Sequence, residues 1–223
     1  MNTDKIREKI DYTILHPNAT YGDIEEFIKN AINYGFLRVF ISQFYVPLAV
    51  KLLKGTGIAV GSVVGFPFGS SLPCIKSFEC EKVIGAGAKE IDMVINIAAL
   101  KNGDLTTVRR DIKSVVSAAK RNGIGVKAII ETCYLTDEEK ITACKAAVET
   151  GVKFVKTSTG YGPKGATIED VKLMRDVVGD KIGVKASGGI RTAKDAIALI
   201  KAGADRIGTS SGPAIINEAR KLL

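Results

Sequence analysis

Two short segments in the last third of the chain each set a lysine just ahead of small polar residues: FVKTSTG (154–160) and GVKASGGIRT (183–192). A third, EIDMVIN (90–96), sets an aspartate among apolar neighbours. Strand side chains alternate. Lys156 therefore shares a face with Phe154, Lys185 lies two residues before Ser187, and Asp92 shares a face with Val94 and Asn96 while Ile91, Met93 and Ile95 point the other way. If the two lysines are level on neighbouring parallel strands, their side chains stand about 5 to 8 Å apart. Like charge and desolvation then both disfavour protonation, and one lysine becomes a free amine near neutral pH. Such an amine attacks a carbonyl to form a Schiff base, whose iminium withdraws electrons and lets the neighbouring carbon–carbon bond break. Asp92 can move the protons, directly or through water. The competing arrangement points both lysines outward, with their stems on apolar surface and their heads in water.

A second constellation suits an anion. Ser187-Gly188-Gly189-Ile190-Arg191 and Gly208-Thr209-Ser210-Ser211-Gly212 offer glycines for close backbone approach, hydroxyls, and the N-termini of whatever helices follow. Thr157, Ser158, Thr159 and Gly160 could complete the rim. Ordinary Gly/Ser turns would explain one such loop, but two of them beside a lysine pair are most economically a phosphate site. Other chemistries are poorly supplied. His16 is the only histidine, so no histidine cluster can hold a catalytic zinc, and Cys74, Cys80, Cys133 and Cys144 show no Cys-x-x-Cys spacing.

The elements that must position these residues repeat along the whole chain. A helical stretch ends at glycine, one to three residues follow, and an apolar strand begins, as in NYGFLRVFIS (33–42), GAGAKEIDMVI (85–95), RNGIGVKAIIE (121–131), TGVKFVKTS (150–158) and KAGADRIGTS (201–210). The strands are rich in Val and Ile without clean polar alternation, which fits burial on both faces. Thr136, Thr167 and Thr192, each followed by acidic residues, read as N-caps of helices that end near Gly151, Gly179 and Gly203. Eight strand centres follow, near Thr13, Val39, Ser62, Asp92, Ala128, Val155, Val184 and Ile207, about one βα unit apart. The expected fold is an α/β (β/α)8 TIM barrel, one catalytic domain over residues 1–223, with an extra N-terminal helix from Asn2 to Ile10 plugging its bottom. A doubly wound open sheet is the alternative. The even repeats, the missing Gly-rich dinucleotide loop after the first strand and the absence of a linker favour the barrel.

Charge narrows the partners. Lys plus Arg number 32 against 24 Asp plus Glu, a net +8, which asks for nucleic acid, an anionic membrane or a phosphorylated small molecule. Apolar runs fall far short of a membrane span. The charged start MNTDKIREKI is no secretion signal, so a cytoplasmic location is expected. Arg109, Arg110, Lys113, Lys120 and Arg121 cluster on one helical segment, but with Asp111 among them and no aromatics, which argues against nucleic acid. A phosphate-binding barrel isomerase, or a Schiff-base aldolase for another carbon skeleton, remains compatible with these residues.

Seven strings, IDYTILHP, SVVGFPFGS, EIDMVINIAALKNGD, VKAIIETCYLTDEEK, FVKTSTGYGPKGAT, IGVKASGGIRT and RIGTSSG, occur in order at strand ends over essentially the whole chain. Together they resemble the deoxyribose-phosphate aldolase family. The resemblance implies a class I, metal-free aldolase without a cofactor, interconverting 2-deoxy-D-ribose 5-phosphate with acetaldehyde and D-glyceraldehyde 3-phosphate in deoxyribonucleotide catabolism. By match of motif, Lys156 is the Schiff-base lysine, Lys185 the second lysine that perturbs it, and Asp92 the proton shuttle. The phosphate would rest on Gly188, Gly189, Arg191, Gly208, Ser210 and Ser211, with Thr157 and Gly160 at the rim. Thr13 and Lys127 would join the relay. The implied partner is a small sugar phosphate, neither nucleic acid nor membrane, and a homo-oligomer, dimer or tetramer, is compatible with it. The chain departs from the family where the second strand usually ends near Cys-Val-Asn-Pro and here reads Phe40-Ile41-Ser42-Gln43, and where Leu15-His16-Pro17 replaces Leu-Lys-Pro. A cysteine near the substrate aldehyde thus becomes Phe40. Activity is expected to persist because Lys156, Lys185 and Asp92 are intact, with pocket shape and aldehyde tolerance altered. An inactive relative is the reading these departures motivate.

Overall fold

The computed structural model describes residues 2–222. Eight parallel strands close into a barrel in sequence order: β1 Ile10–Ile14, β2 Arg38–Ile41, β3 Ala59–Val64, β4 Glu90–Val94, β5 Gly125–Ile129, β6 Phe154–Lys156, β7 Gly183–Ser187 and β8 Arg206–Thr209. The helices are α1 Thr3–Lys9, α2 Tyr21–Tyr34, α3 Val46–Leu52, α4 Pro73–Gly85, α5 Ile97–Lys101, α6 Leu105–Lys120, α7 Asp137–Thr150, α8 Ile168–Val178, α9 Ala193–Lys201 and α10 Gly212–Leu222. The sheet is a closed barrel and not the doubly wound alternative, because β8 pairs with β1 as well as with β7. No helix among the described residues is long and apolar enough to cross a membrane.

Local chemistry sets the units. Thr136 caps α7 in a reciprocal box with Glu139, and Gly151 ends it in the left-handed conformation at φ 84°, where a side chain would be strained. Thr167 and Thr192 cap α8 and α9 by accepting from the amides of Asp170 and Asp195. Alternation then divides each strand. Val39, Ile41, Ile91, Met93, Val126, Ala128, Val155, Val184 and Ile207 face outward and join the helices in one continuous apolar layer. Each buried Val, Ile or Met among them contributes about 1.5–3 kcal/mol.

The N-terminal helix is slightly shorter than expected. Asn2 is its cap and Ile10 already belongs to β1, so the helix proper is Thr3–Lys9. It sits at the N-terminal rim beside α10, where Arg38 at the start of β2 donates to the Glu8 carbonyl and Lys9 Nζ reaches the Asp205 carbonyl. The barrel's centre is filled by its own charged side chains.

Candidate active site

Strand register decides which inward residues meet. Lys156 on β6 is level with Lys185 on β7, and Asp92 on β4 is level with Lys127 on β5. Lys156 Nζ and Lys185 Nζ both donate to Asp92 Oδ2 at 2.8 Å, and Lys127 Nζ lies 3.1 Å from Asp92 Oδ1. The lysines therefore point inward and not into solvent. A second carboxylate, Asp11 on β1, completes the layer. Its Oδ2 stands 2.6 Å from Lys185 Nζ, while its Oδ1 takes Arg38 at 2.8 Å and Arg206 at 3.1 Å. Glu90 pairs with Lys127 from below.

Five cations thus face three carboxylates inside the barrel, and burial and neighbouring charge together set the protonation states. Burial alone would raise the Asp92 carboxyl, but Lys127, Lys156 and Lys185 together outweigh it and hold it well below the usual carboxylate range. Burial would likewise lower Lys127, yet Asp92, Asp11 and Glu90 raise it above the ordinary ammonium value. Lys156 goes the other way. Desolvation pushes it down, Asp92 pulls back, and Lys185 and Lys127 add to the depression, leaving it at about 8. Of the two causes expected from the sequence, burial is the larger and the neighbouring lysine the smaller.

Only one of these lysines opens to a ligand. A cavity of about 250 Å³ lies at the C-terminal mouth, and Lys156 lines it together with Thr13, His16, Gly160, Gly188, Gly189, Arg191, Gly208 and Ser210. Lys185 and Asp92 are sealed behind Lys156, both fully buried. Gly188 and Gly189 have φ of 87° and 76°, so backbone without side chains faces the cavity at the turn after β7. The loops after β6 and β7 are tied, with Ala166 N donating to the carbonyls of Ser187 and Gly188. Of the two helix N-termini expected to serve an anion, that of α9 is already engaged, since Ala193 N donates to Glu218 at 2.8 Å. The loop glycines, Ser210, Arg191 and the start of α10 remain.

The other expected positions fall outside this cavity. The Thr157 hydroxyl exchanges hydrogen bonds with the Ser187 backbone, both at 3.1 Å, and so straps β6 to β7. Ser211 N donates to Thr209 Oγ1, and Ser211 does not line the cavity. Lys127 is held in the charged layer below it. Phe40 is not a cavity wall either. It lies inside the barrel with its ring centroid 3.7 Å from Lys185 Nζ and 4.5 Å from Lys127 Nζ, so both nitrogens sit over its π face. The room it needs comes from Gly61, where a Cβ would sit 2.5 Å from the ring. Ser42 starts a short turn of 3-10 helix after β2, and His16 is exposed at the mouth. No cluster of three His, Cys, Asp or Glu side chains that could hold a metal ion occurs among the described residues.

A lysine amine poised near neutrality, a buried carboxylate on its nitrogen and a Gly/Ser mouth together suit carbonyl chemistry on an anionic substrate. The model of the DeoC/LacD family of aldolases matches residues 6–218. This chain belongs to that family. Among curated relatives, deoxyribose-phosphate aldolase of Thermoanaerobacter sp. (strain X514) is 53% identical over 218 residues, 97% of this chain and 98% of its own. That of Thermococcus gammatolerans is 54% identical over 217 residues, 96% of each chain. Among solved structures, the tetrameric deoxyribose phosphate aldolase from Aeropyrum pernix superimposes with a TM-score of 0.92 at 33% identity, covering 99% of this chain and 93% of that one. The chain is thus an aldolase, a carbon–carbon lyase built on the barrel.

Two groups of this aldolase escaped sequence reasoning. Asp11 shares a strand face with Thr13, and its alternation was readable, but nothing local told that Lys185, Arg38 and Arg206 converge on it. Glu131, just past β5, is 2% exposed and holds the amide and hydroxyl of Thr159. Its only sequence signal was a carboxylate ending an apolar strand.

Proposed function

We propose that this aldolase reversibly cleaves 2-deoxy-D-ribose 5-phosphate to D-glyceraldehyde 3-phosphate and acetaldehyde through a Schiff base on Lys156. The observation that carries the reading is a buried lysine, pushed down to about 8, at the floor of a cavity whose far wall is Gly188, Gly189, Arg191 and Ser210. The names of the relatives support the same substrate. The sugar phosphate would seat its anion on the β7 and β8 loops and present its C1 aldehyde to Lys156 Nζ.

The free amine adds to C1, and the carbinolamine hydroxyl takes a proton and leaves as water, forming the iminium. Asp92 is held anionic, so it carries a proton only in passing, between the Lys156 and Lys185 nitrogens that both donate to its Oδ2, and does not store one. As the 3-hydroxyl gives up its proton through this relay, the C2–C3 electrons flow into the iminium. Glyceraldehyde 3-phosphate departs and an enamine remains. Protonation at C2 and hydrolysis release acetaldehyde and return the Lys156 amine. Thr13, whose hydroxyl donates to the Asp11 carbonyl at 2.8 Å, stands at the cavity wall as a hydrogen-bond partner for substrate. This reading places the step in breakdown of deoxynucleotide-derived sugar, by one catalytic domain. A homo-oligomer, supported by the tetrameric relative, is checked by sedimentation.

Acetaldehyde followed by borohydride should fix a two-carbon adduct on Lys156, seen by peptide mass. Absence of the adduct, with Lys156→Ala retaining full cleavage, would sink the proposal.

A further inference from the structure

Tyr161, on the loop after β6, stands in the barrel mouth and has no part in the reaction described above. Its hydroxyl donates to the Leu15 carbonyl, on the loop after β1, at 2.7 Å. Its ring meets Phe66, on the loop after β3, edge to face with centroids 5.4 Å apart. Because the barrel order runs β6, β7, β8, β1, a bond from the β6 loop to the β1 loop spans the two loops that carry Gly188, Gly189 and Ser210. The ring therefore has the substrate cavity on one side and Phe66 on the other.

The root of this arch is anchored. Tyr161 N donates to Thr159 Oγ1 at 3.0 Å, and the Thr159 hydroxyl and amide both donate to the buried Glu131 carboxylate. Glu131 itself is the one described non-glycine residue at positive φ, 55°. Such a conformation persists only where the surroundings over-determine it, and here it aims the carboxylate at Thr159. The phenol ring, by contrast, is half exposed, so its far end is held chiefly by the Leu15 bond and the Phe66 edge.

We propose that Tyr161 is a specificity-determining crossbar, which confines the acceptor aldehyde to the β6, β7, β8 and β1 sector and so favours short phosphorylated aldehydes over longer ones. The inference rests on the aldolase reading above. A rigid wall discriminates by excluded volume, whereas a ring free to swing would join the cavity to the Phe66 side of the mouth.

Two measurements test it. In the ligand-free chain, Tyr161→Phe deletes only the bond to Leu15, so amide hydrogen exchange over residues 15–19 should quicken several-fold, by about the weight of one hydrogen bond. With acetaldehyde as donor, kcat/KM is then compared for hexanal and for glyceraldehyde 3-phosphate. Tyr161→Ala should raise the hexanal preference about tenfold or more, with Tyr161→Phe between it and the wild type. This ratio does not depend on how much of a variant is folded. Unchanged exchange in Tyr161→Phe, or an unchanged preference in both variants, overturns the crossbar. If the wild type neither cleaves deoxyribose phosphate nor forms the Lys156 adduct, the functional reading falls, and the exchange comparison still decides whether Tyr161 ties the mouth.

Discussion

Replacing Lys185 by Met tests how much of the Lys156 reactivity is electrostatic. Both ammonium nitrogens sit 2.8 Å from the same Asp92 oxygen, so they are at most about 5.6 Å apart, and at an effective dielectric of about 20 they repel by about 3 kcal/mol. That repulsion is worth about two pKa units. Lys156, now pushed down to about 8, should return to about 10 in the variant. The sign follows from which form reacts. Only the free amine adds to the aldehyde, and at pH 7 its fraction would fall from about a tenth to about a thousandth. kcat/KM at pH 7 should therefore drop about a hundredfold, and most of it should return by pH 10. The fold should survive, because Asp11 keeps Arg38 and Arg206, and Asp92 keeps Lys127 and Lys156. The assay is the pH profile of deoxyribose phosphate cleavage for wild type and Lys185→Met, with borohydride trapping alongside. A loss of equal size at every pH, with the acid limb still near 8, would refute the reasoning and leave Lys185 a direct proton donor.

Two further expectations concern the scaffold behind the site. Gly61→Ala would place a Cβ 2.5 Å from the Phe40 ring. It should destabilise the chain by about 1–3 kcal/mol, and by clearly less when Phe40→Leu is present, which a urea double-mutant cycle would show. Lys76 and Asp111, wholly buried between α4 and α6, are paired at 2.7 Å, and Lys76 also donates to the Val94 carbonyl at the end of β4. Lys76→Met should cost about 3–5 kcal/mol by stranding the Asp111 carboxylate, and Lys76→Met with Asp111→Leu should recover most of it in the same denaturation assay.

How much was legible depended on range. The barrel was readable because each βα unit carries its own punctuation: Thr136 at the start of α7 and Gly151 at its end are local signals that need no distant partner. The inward direction of Asp92, Lys156 and Lys185 was readable only as far as strand parity allowed, since alternation says which residues share a face and not which face is inside. The rim positions were harder. Thr157 and Gly160 are three residues apart in one loop, yet one is spent on the Ser187 backbone and the other lines the cavity. Phe40 was readable as a bulky departure but not as a partner of two ammonium groups, because that depends on the space left by Gly61 on the next strand.

By itself, then, the order of residues determined a repeating βα chain, its strand ends, and a lysine pair with an aspartate in motifs that mark the family. Caps, alternation and turn glycines act within a few residues, so one dimension suffices for them. Barrel closure decided the rest. It brought Asp11 from the first strand against Lys185 on the seventh, packed five cations among three carboxylates, and left Lys156 as the lysine of that layer lining the cavity. It also set Tyr161 across the mouth. Those outcomes follow from sums of charge, volume and solvent exclusion over side chains far apart in sequence, which exist only once β8 has met β1.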